Sequence, residues 1–463
     1  MDSFDVVVLG GGPAGEVAAG RLADAGLEVA LVEDDLVGGE CSFYACMPSK
    51  GLLRPQEVLR EVRRIPGAAE AVTGKLDVQA VLDRRDEIVH DLDDSGMLPW
   101  LEDRGIKLYR GWGVLNGQKR VIVGDEHLEA RTAIILAGGT RTAWPPIEGL
   151  REAEPWTNRE ATVAKRIPGA IVILGGGVFG TELAQAYRSL GAQVTLIEGE
   201  PRLLPSEEEF ASEQVTEALV EQGVNVRTGR KATRVEQGGD TLRVFMDDDS
   251  SVEVDQLINA LGRAPRTEEL GLDSIGEEPG GYIEVDENMQ VPGHSWLYAI
   301  GDVNGRILLT HMGKYQARLA VEHILGNPSS YAHGADGHQS PRVVFTDPQV
   351  AAVGHTEQTA EEAGLEVHVL EVGTSANAGG SFYGRNAPGT SRLLVDKDTD
   401  LIVGATITGA EVADFIHAAT IAIVGEVPMG RLWHATPSFP TRSEIWLNLM
   451  AEWEKAKSGF GEA

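Results

Sequence analysis

Cysteine is the scarcest residue in this chain: its 463 residues contain only Cys41 and Cys46. So small a number excludes a scaffold held together by several disulfides. Long apolar runs are also missing, since none approaches the ~20 residues needed to cross a bilayer. The amino end, residues 1–4, leads into a strand without a basic region or a cleavage site. We therefore expect a cytoplasmic protein with no membrane partner.

Basic residues are in deficit, because 40 Lys and Arg stand against 71 Asp and Glu, a formal net charge of −31. Such a surface repels a phosphate backbone, so we expect no nucleic-acid partner. The content of 42% hydrophobic and 24% charged residues is typical of a globular chain. The length suggests about three domains.

Glycine, by contrast, is abundant and patterned. Asp5–Leu9 is a short apolar run typical of a buried parallel strand, and Gly10, Gly12 and Gly15 follow it as G-x-G-x-x-G. A helix and a second strand come next, and that strand ends at Glu33. The glycines admit a pyrophosphate, the helix offers its free N–H groups, and the acid binds ribose hydroxyls. The segment is therefore predicted to bind a dinucleotide.

The same unit occurs a second time, with Gly175, Gly177 and Gly180 in the turn and Glu198 at the end of the next strand. In both copies the acid lies 23 residues after the first glycine. Two such units in one chain predict two bound dinucleotides.

The two cysteines lie in the segment GGECSFYACMPSK, residues 38–50, just after the first unit. A single cysteine is usually a small buried hydrophobe. A close pair with no other cysteine in the chain, beside a dinucleotide site, predicts a redox couple instead, because a cytosolic disulfide is more often catalytic than structural. We expect the pair to exchange electrons with a flavin.

Over essentially its whole length the chain resembles the flavoprotein disulfide reductases, which include dihydrolipoyl dehydrogenase, glutathione reductase and mercuric reductase. The motifs that carry the resemblance are CxxxxC followed by Pro48-Ser49-Lys50, Ala299-Ile-Gly-Asp302, Phe345-Thr-Asp-Pro348 with Val353-Gly354, and Gly404-Ala-Thr-Ile-Thr-Gly409. The last of these fits the dimerisation domain of that family.

The resemblance implies roles for single residues. FAD would be held by Gly10, Gly12, Gly15, Glu33, Gly39 and Asp302. Cys46 would be the thiolate next to the flavin, and Cys41 the thiol that attacks the substrate. Lys50 would lie near flavin N5 and pair with Glu182, since a cation there stabilises the reduced flavin. A nicotinamide coenzyme would bind at Gly175, Gly177, Gly180 and Glu198, where the acid favours NADH over NADPH.

The chain departs from that family where proton transfer is expected. The disulfide-reducing members carry a His-Pro-Thr stretch with a glutamate five residues after the histidine, and this chain has Phe439-Pro440-Thr441 with Glu444. The phenylalanine side chain cannot donate or accept a proton in catalysis, so His434 is the candidate substitute and Tyr44 a second one. His434 as a loop or interface residue is the alternative. By resemblance these C-terminal residues would face the cysteines of the partner in a homodimer.

Glu40, next to Cys41, stands where the family usually has threonine, and Ala45 stands where it usually has glycine. These changes alter the substrate mouth or are simple repacking. No resident metal site is predicted.

We predict an α/β fold: two Rossmann-like dinucleotide-binding domains plus an α+β C-terminal dimerisation domain. The expected parts are an FAD-binding domain in two segments, an NAD(P)-binding domain and the dimerisation domain, at residues 1–147 with 265–338, 148–264 and 339–463. The expected function is electron transfer from NAD(P)H through FAD to a Cys41–Cys46 disulfide and on to a small disulfide such as lipoamide. The alternatives are a quinone or metal-ion reductase and a non-catalytic redox-sensing flavoprotein.

Overall fold

The computed structural model describes residues 1–328, 337–384 and 387–458. The chain divides into two compact units, each built from three segments. The first unit comprises Met1–Pro48, Asp83–Ala143 and Gly262–Gly337, and the second comprises Ser49–Leu82, Trp144–Leu261 and His338–Ala463. The division into an FAD, an NAD(P) and a dimerisation domain stays a prediction, and residues 329–336, 385–386 and 459–463 of it lie outside the described residues.

The first unit contains a seven-stranded sheet. Its order is Lys107–Arg110, Val29–Glu33, Asp2–Leu9, Glu126–Leu136, Arg120–Val123 and Gly113–Leu115, with Leu297–Ala299 also paired to Glu126–Leu136. The strands from Lys107–Arg110 to Glu126–Leu136 in this order pair in parallel, as does Leu297–Ala299, and the hairpin at the other edge is antiparallel. A separate antiparallel pair joins Thr140–Thr142 to Arg263–Pro265. The helices with residues in this unit are Pro13–Asp24, Gly39–Phe43, Leu98–Asp103, Thr310–Ile324 and the first residues of Cys46–Arg64.

The first strand shows why this sheet is covered on both faces. Val6 and Val8 belong to one hydrophobic cluster, whereas Val7 and Leu9 belong to another. All four side chains are 3% exposed or less. Successive side chains of a strand point to opposite faces, so an unbroken apolar run requires a core on each side.

The second unit contains three sheets. A parallel sheet has the order Asn225–Arg227, Gln193–Ile197, Ala170–Leu174 and Gln256–Asn259. A three-stranded antiparallel sheet has the order Ala232–Gly238, Thr241–Met246 and Ser251–Val254. A five-stranded antiparallel sheet has the order Arg342–Val344, Gln349–Gly354, Ile402–Gly409, Thr390–Asp396 and Val367–Gly373.

The remaining helices lie in or lead into this second unit. They are Val78–Ile88, Asn158–Val163, Val178–Ser189, Glu209–Glu221, Glu357–Glu362, Val412–Phe415, His417–Val424, Met429–Leu432 and Ile445–Ser458. The predicted α/β fold with a C-terminal α+β segment is confirmed. Within the described ranges, no helix is long and apolar enough to cross a membrane.

Candidate active site

The first glycine turn lies between the strand Asp2–Leu9 and the helix Pro13–Asp24. Gly10 has a φ of +110°, a backbone conformation that favours glycine. A Cβ on Gly15 would lie 1.8 Å from the carbonyl oxygen of Gly10, so the helix could not approach the strand with any side chain there. Around Gly12 the only atom within 4 Å of such a Cβ is the Gly39 Cα, at 3.9 Å. The turn is therefore closed on the strand side and open above Gly12.

Glu33 ends the neighbouring strand with its carboxylate turned back to this turn. Its Oε2 accepts the Gly11 N–H at 2.6 Å and its Oε1 accepts the Asp35 N–H at 2.8 Å. Burial raises the pKa of Glu33, and the two N–H donors counteract that rise. Each carboxylate oxygen still has a second lone pair for a ribose hydroxyl.

Asp302 follows the strand Leu297–Ala299 and lies at the carboxyl end of the same sheet. Its Oδ2 accepts a hydrogen bond from the Thr140 hydroxyl at 3.1 Å, and burial raises its pKa. The open glycine turn, the Glu33 carboxylate and this acid form a donor and acceptor set that fits a dinucleotide such as FAD.

The cysteines lie on two consecutive helices that begin near this turn. Cys41 is within the short helix Gly39–Phe43, and Cys46 is the first residue of the helix Cys46–Arg64. Both are present as thiols and both are half-buried. The Cys46 Sγ lies 3.5 Å from Oγ1 of Thr310, which begins the helix Thr310–Ile324. Cys46 is thus at the amino end of one helix and next to the amino end of another, where a negative charge is stabilised.

The surroundings of Cys41 favour its protonated form. The pKa of Cys41 is raised by its hydrogen bond with Cys46, by burial and by the negative charge on Cys46. Thr310 and Lys314 counteract this rise.

Lys50 and Glu182 form an ion pair within the second unit. The Lys50 Nζ lies 2.7 Å from the Glu182 Oε2, and the Glu182 side chain is only 2% exposed. The other carboxylate oxygen accepts the Phe345 N–H at 2.9 Å, and the ammonium lies 4.7 Å from the centre of the Phe345 ring. The predicted pairing of Lys50 with Glu182 is present in the structure, while their catalytic role stays a prediction.

The second glycine turn repeats the geometry of the first. Gly175 has a φ of +105°, and a Cβ on Gly180 would lie 1.9 Å from the Gly175 carbonyl oxygen. Gly177 precedes the helix Val178–Ser189, with no atom within 4 Å of an added Cβ. The Glu198 carboxylate accepts the Gly176 N–H at 2.5 Å and the Glu200 N–H at 2.7 Å. The two turns therefore match in backbone conformation and in the backbone N–H groups that bind the acid.

The C-terminal candidate residues differ in their exposure and in their surroundings. Phe439 is 77% exposed, and His434 is exposed with its ring edge-on to Trp433 at 5.1 Å between centroids. Glu444 is half-buried, and within the described residues its Oε2 has no hydrogen-bond partner. No hydrogen bond joins His434 to Glu444 in this part of the chain. A role for either residue stays a prediction.

Glu16, in the first turn of the helix Pro13–Asp24, is a polar residue that the sequence did not single out. Its Oε1 is buried, and within the described residues it has no hydrogen-bond partner. Burial raises the pKa of Glu16 to about 7; the Lys314 ammonium lowers it and the Glu33 carboxylate raises it. The sequence does show an acid in the first turn of the helix that follows the glycine turn. The burial of this acid, however, depends on how the helices pack.

Replacement of Glu16 by glutamine should make thermal stability less dependent on pH. The pKa of Glu16 is about 7 in the folded chain against 4.5 without the fold, so folding binds a proton between these values. Stability linked to this group is therefore present below pH 4.5 and lost as the pH rises through 7, by at most about 3 kcal/mol. Glu16→Gln should raise Tm by at least about 2 °C at pH 8 and change it little at pH 5.

Differential scanning calorimetry at both pH values measures this effect. The control is Glu126→Gln, because Glu126 is an exposed acid in the same unit. An equal change of Tm at pH 5 and pH 8 would show that Glu16 is ionised in the folded protein.

Comparison with known proteins identifies relatives over nearly the whole chain. Residues 4–317 match the model of the pyridine nucleotide-disulphide oxidoreductases, and residues 340–450 match the dimerisation domain of the same group. A dihydrolipoyl dehydrogenase of Thermus scotoductus is 33% identical over 455 residues, which cover 96% of each chain. A mercuric reductase of Bacillus cereus is 30% identical over 95% of this chain and 70% of its own length.

Among solved structures, the HOCl-induced flavoprotein disulfide reductase RclA from Escherichia coli superposes with a TM-score of 0.84 at 24% identity, over 97% of this chain and 99% of its own. At that identity the similarity shows the shared fold.

Proposed function

The chain belongs to the pyridine nucleotide-disulphide oxidoreductase family, and from that premise we propose that it passes electrons from NADH through FAD to the Cys41–Cys46 pair and on to a small disulfide such as lipoamide. The position of Cys46 carries this proposal: it begins one helix and its Sγ lies 3.5 Å from the Thr310 hydroxyl at the start of another, where the thiolate needed for disulfide exchange is stabilised. Members of the family depend on FAD and a nicotinamide coenzyme.

FAD would be held by the first glycine turn, Glu33, Gly39 and Asp302, and it would supply hydride acceptance and electron transfer to sulfur. The residues of this chain hold the charges. The Cys46 thiolate is stabilised by two helix amino ends, and Lys50 places a cation that Glu182 orients.

Reduction of the acceptor follows from the two thiols. A base takes the proton of the Cys41 thiol as its sulfur attacks one sulfur of the substrate disulfide, the S–S bond breaks, and the same group returns the proton to the leaving substrate thiolate. The Cys46 thiolate then attacks the Cys41 sulfur and releases the second substrate thiolate, which takes up a proton from solvent. The substrate disulfide is reduced by two electrons and the Cys41–Cys46 disulfide is formed.

The proton for the leaving thiolate must come from a group other than Phe439. His434 is the proposed source, and the exposure of its ring leaves it accessible to a partner subunit. The second candidate function is reduction of a quinone or of a thiol-bound metal ion, which would need no proton donor at this position. The similarity to mercuric reductases favours it, whereas the absence of any cysteine after Cys46 weakens mercury as the ion.

Anaerobic oxidation of NADH with lipoamide as the only acceptor tests the proposal. Rapid turnover is expected, and His434→Ala should then reduce it by a factor of about 10² or more, the usual contribution of a general acid. Flavin and thiol reduction without turnover would rule out lipoamide and lead to quinones and metal–thiolate complexes. Negligible NADH oxidation with every acceptor would instead indicate a redox-sensing flavoprotein.

We expect NADH to exceed NADPH in kcat/KM by a factor of about ten or more, because the Glu198 carboxylate repels a 2′-phosphate. Arg202, which follows Glu198 closely in sequence, is engaged elsewhere, because it donates to the Leu204 and Pro205 carbonyls at 3.1 and 2.8 Å. Glu198→Ala should raise the NADPH to NADH ratio at least tenfold. The control is Glu200→Gln, because only the backbone N–H of Glu200 contacts Glu198. An unchanged ratio in Glu198→Ala would exclude the acid as the specificity determinant.

A homodimer is supported by the matched dimerisation domain. The second unit leaves large apolar side chains exposed, as expected of a surface covered by a partner. They are Phe382, Ile421, Val424, Trp433, Phe439 and Leu447. We propose that the partner subunit completes each active site and that the dimer acts in the cytoplasm.

A further inference from the structure

Glu40 is an acid in an unexpected place, between Gly39 and Cys41 on the short helix Gly39–Phe43. Gly39 has a φ of +61°, and a Cβ on it would lie 2.7 Å from the Cα of Gly12 in the first glycine turn. Glu40 therefore directly follows a residue packed against the turn that would receive the FAD diphosphate. An unpaired carboxylate at that point would repel the ligand.

The carboxylate is paired with Arg263. Arg263 Nη2 donates to the Glu40 Oε2 at 2.6 Å and to the Thr140 carbonyl oxygen at 2.8 Å, while its Nε donates to the Thr140 hydroxyl at 2.9 Å. That hydroxyl in turn donates to the Asp302 Oδ2 at 3.1 Å. The Arg263 guanidinium thus joins the residue before Cys41, through Thr140, to Asp302, the acid proposed to hold FAD.

The backbone holds this arginine in position. Arg263 begins a strand that pairs antiparallel with Thr140–Thr142, so the donor and its acceptors lie on paired strands. The charges of Glu40 and Arg263 also reach Asp302: the pKa of Asp302, raised mainly by burial, is lowered by Arg263 and raised further by Glu40. The positive charge of Arg263 therefore acts on both acids of this network, Glu40 and Asp302.

We propose that Arg263 is the counter-ion that allows this chain to carry an acid beside the FAD phosphates, and that it ties the turn before Cys41 to Asp302. The inference rests on the proposed FAD role of the first glycine turn and Asp302. It gives the Glu40 substitution a function in cofactor retention rather than in the substrate mouth.

The test is the dissociation constant of FAD for apoprotein prepared from the dimer, followed by flavin fluorescence. Arg263→Met should weaken FAD binding by on the order of 10²-fold, because it removes a cation and leaves Glu40 uncompensated. Glu40→Gln should change it less than about threefold, and the double variant should regain at least about tenfold of the loss. Arg131→Met is the control, because Arg131 pairs with Asp5 and Glu28 in the same unit without joining this network.

Arg263→Lys covers the possibility that Arg263→Met does not fold. This variant retains the positive charge and loses the several N–H donors of the guanidinium. It should therefore bind FAD more weakly than wild type and more tightly than Arg263→Met. Wild-type affinity in both Arg263 variants, or a double variant no tighter than Arg263→Met, would overturn the inference. Failure of wild-type apoprotein to bind FAD would instead overturn the proposed function, since this measurement requires no electron acceptor.

Discussion

Cys46→Ser should abolish the long-wavelength charge-transfer absorbance of the reduced holoenzyme and lower disulfide reduction by at least about 10³-fold. Cys46 Sγ lies 3.5 Å from the Thr310 hydroxyl, at the amino ends of two helices that favour a thiolate. Serine at this position remains protonated at neutral pH and cannot donate charge to the flavin. Anaerobic titration with NADH, recorded as visible spectra, measures the band.

Cys41→Ser is the matched control for this experiment. It should also stop disulfide reduction, because the attacking thiol is gone, but it leaves the Cys46 thiolate and therefore the band. Reduction of the flavin by NADH should persist in both variants. Retention of the band in Cys46→Ser together with its loss in Cys41→Ser would show that the roles of the two cysteines are reversed.

Lys50→Met should have the second large effect, on both stability and the rate of flavin reduction. Glu182 is 2% exposed and, among the residues that the structure describes, would keep only the Phe345 N–H as a hydrogen-bond partner. Removing one member of a buried ion pair costs about 3 kcal/mol or more. Loss of the cation should also slow flavin reduction by about 10²- to 10³-fold, as for other preorganised charges.

The double variant Lys50→Met/Glu182→Gln separates the two effects. It should recover most of the stability, because the buried charge is gone, while flavin reduction stays slow. Lys455→Met is the control, since Lys455 forms an exposed pair with Glu452 and should alter neither quantity. Thermal unfolding and anaerobic stopped-flow measurements report them. A normal reduction rate in Lys50→Met would remove Lys50 from the catalytic machinery.

Much of the fold was predictable because it depends on local and repeated patterns. The glycine turns and the spacing to Glu33 and Glu198 predict a strand, a turn, a helix and a second strand. The structure contains this arrangement twice. The pairing of Lys50 with Glu182, residues far apart in sequence, was available only through resemblance to a family. Apolar periodicity alone does not specify such a contact.

Other features required the packed structure. Glu16 acquires its raised pKa from burial, and Arg263 reaches Glu40 because its strand pairs with Thr140–Thr142. Both depend on contacts between distant segments, for which a single sequence has no periodic signal. In the proposed homodimer, residues of a second subunit would complete the surroundings of His434 and Glu444. A contact between two chains has no periodic signal in the sequence.

The positions of the Glu33 and Glu198 carboxylates have a consequence for the energetics of coenzyme binding. Each carboxylate accepts hydrogen bonds from two backbone N–H groups of the protein itself. The loss of rotamer freedom of a long glutamate side chain, about 1–2 kcal/mol, therefore accompanies folding. In the proposed FAD and NADH sites, affinity at these two positions would depend on complementarity rather than on ordering of the two acids.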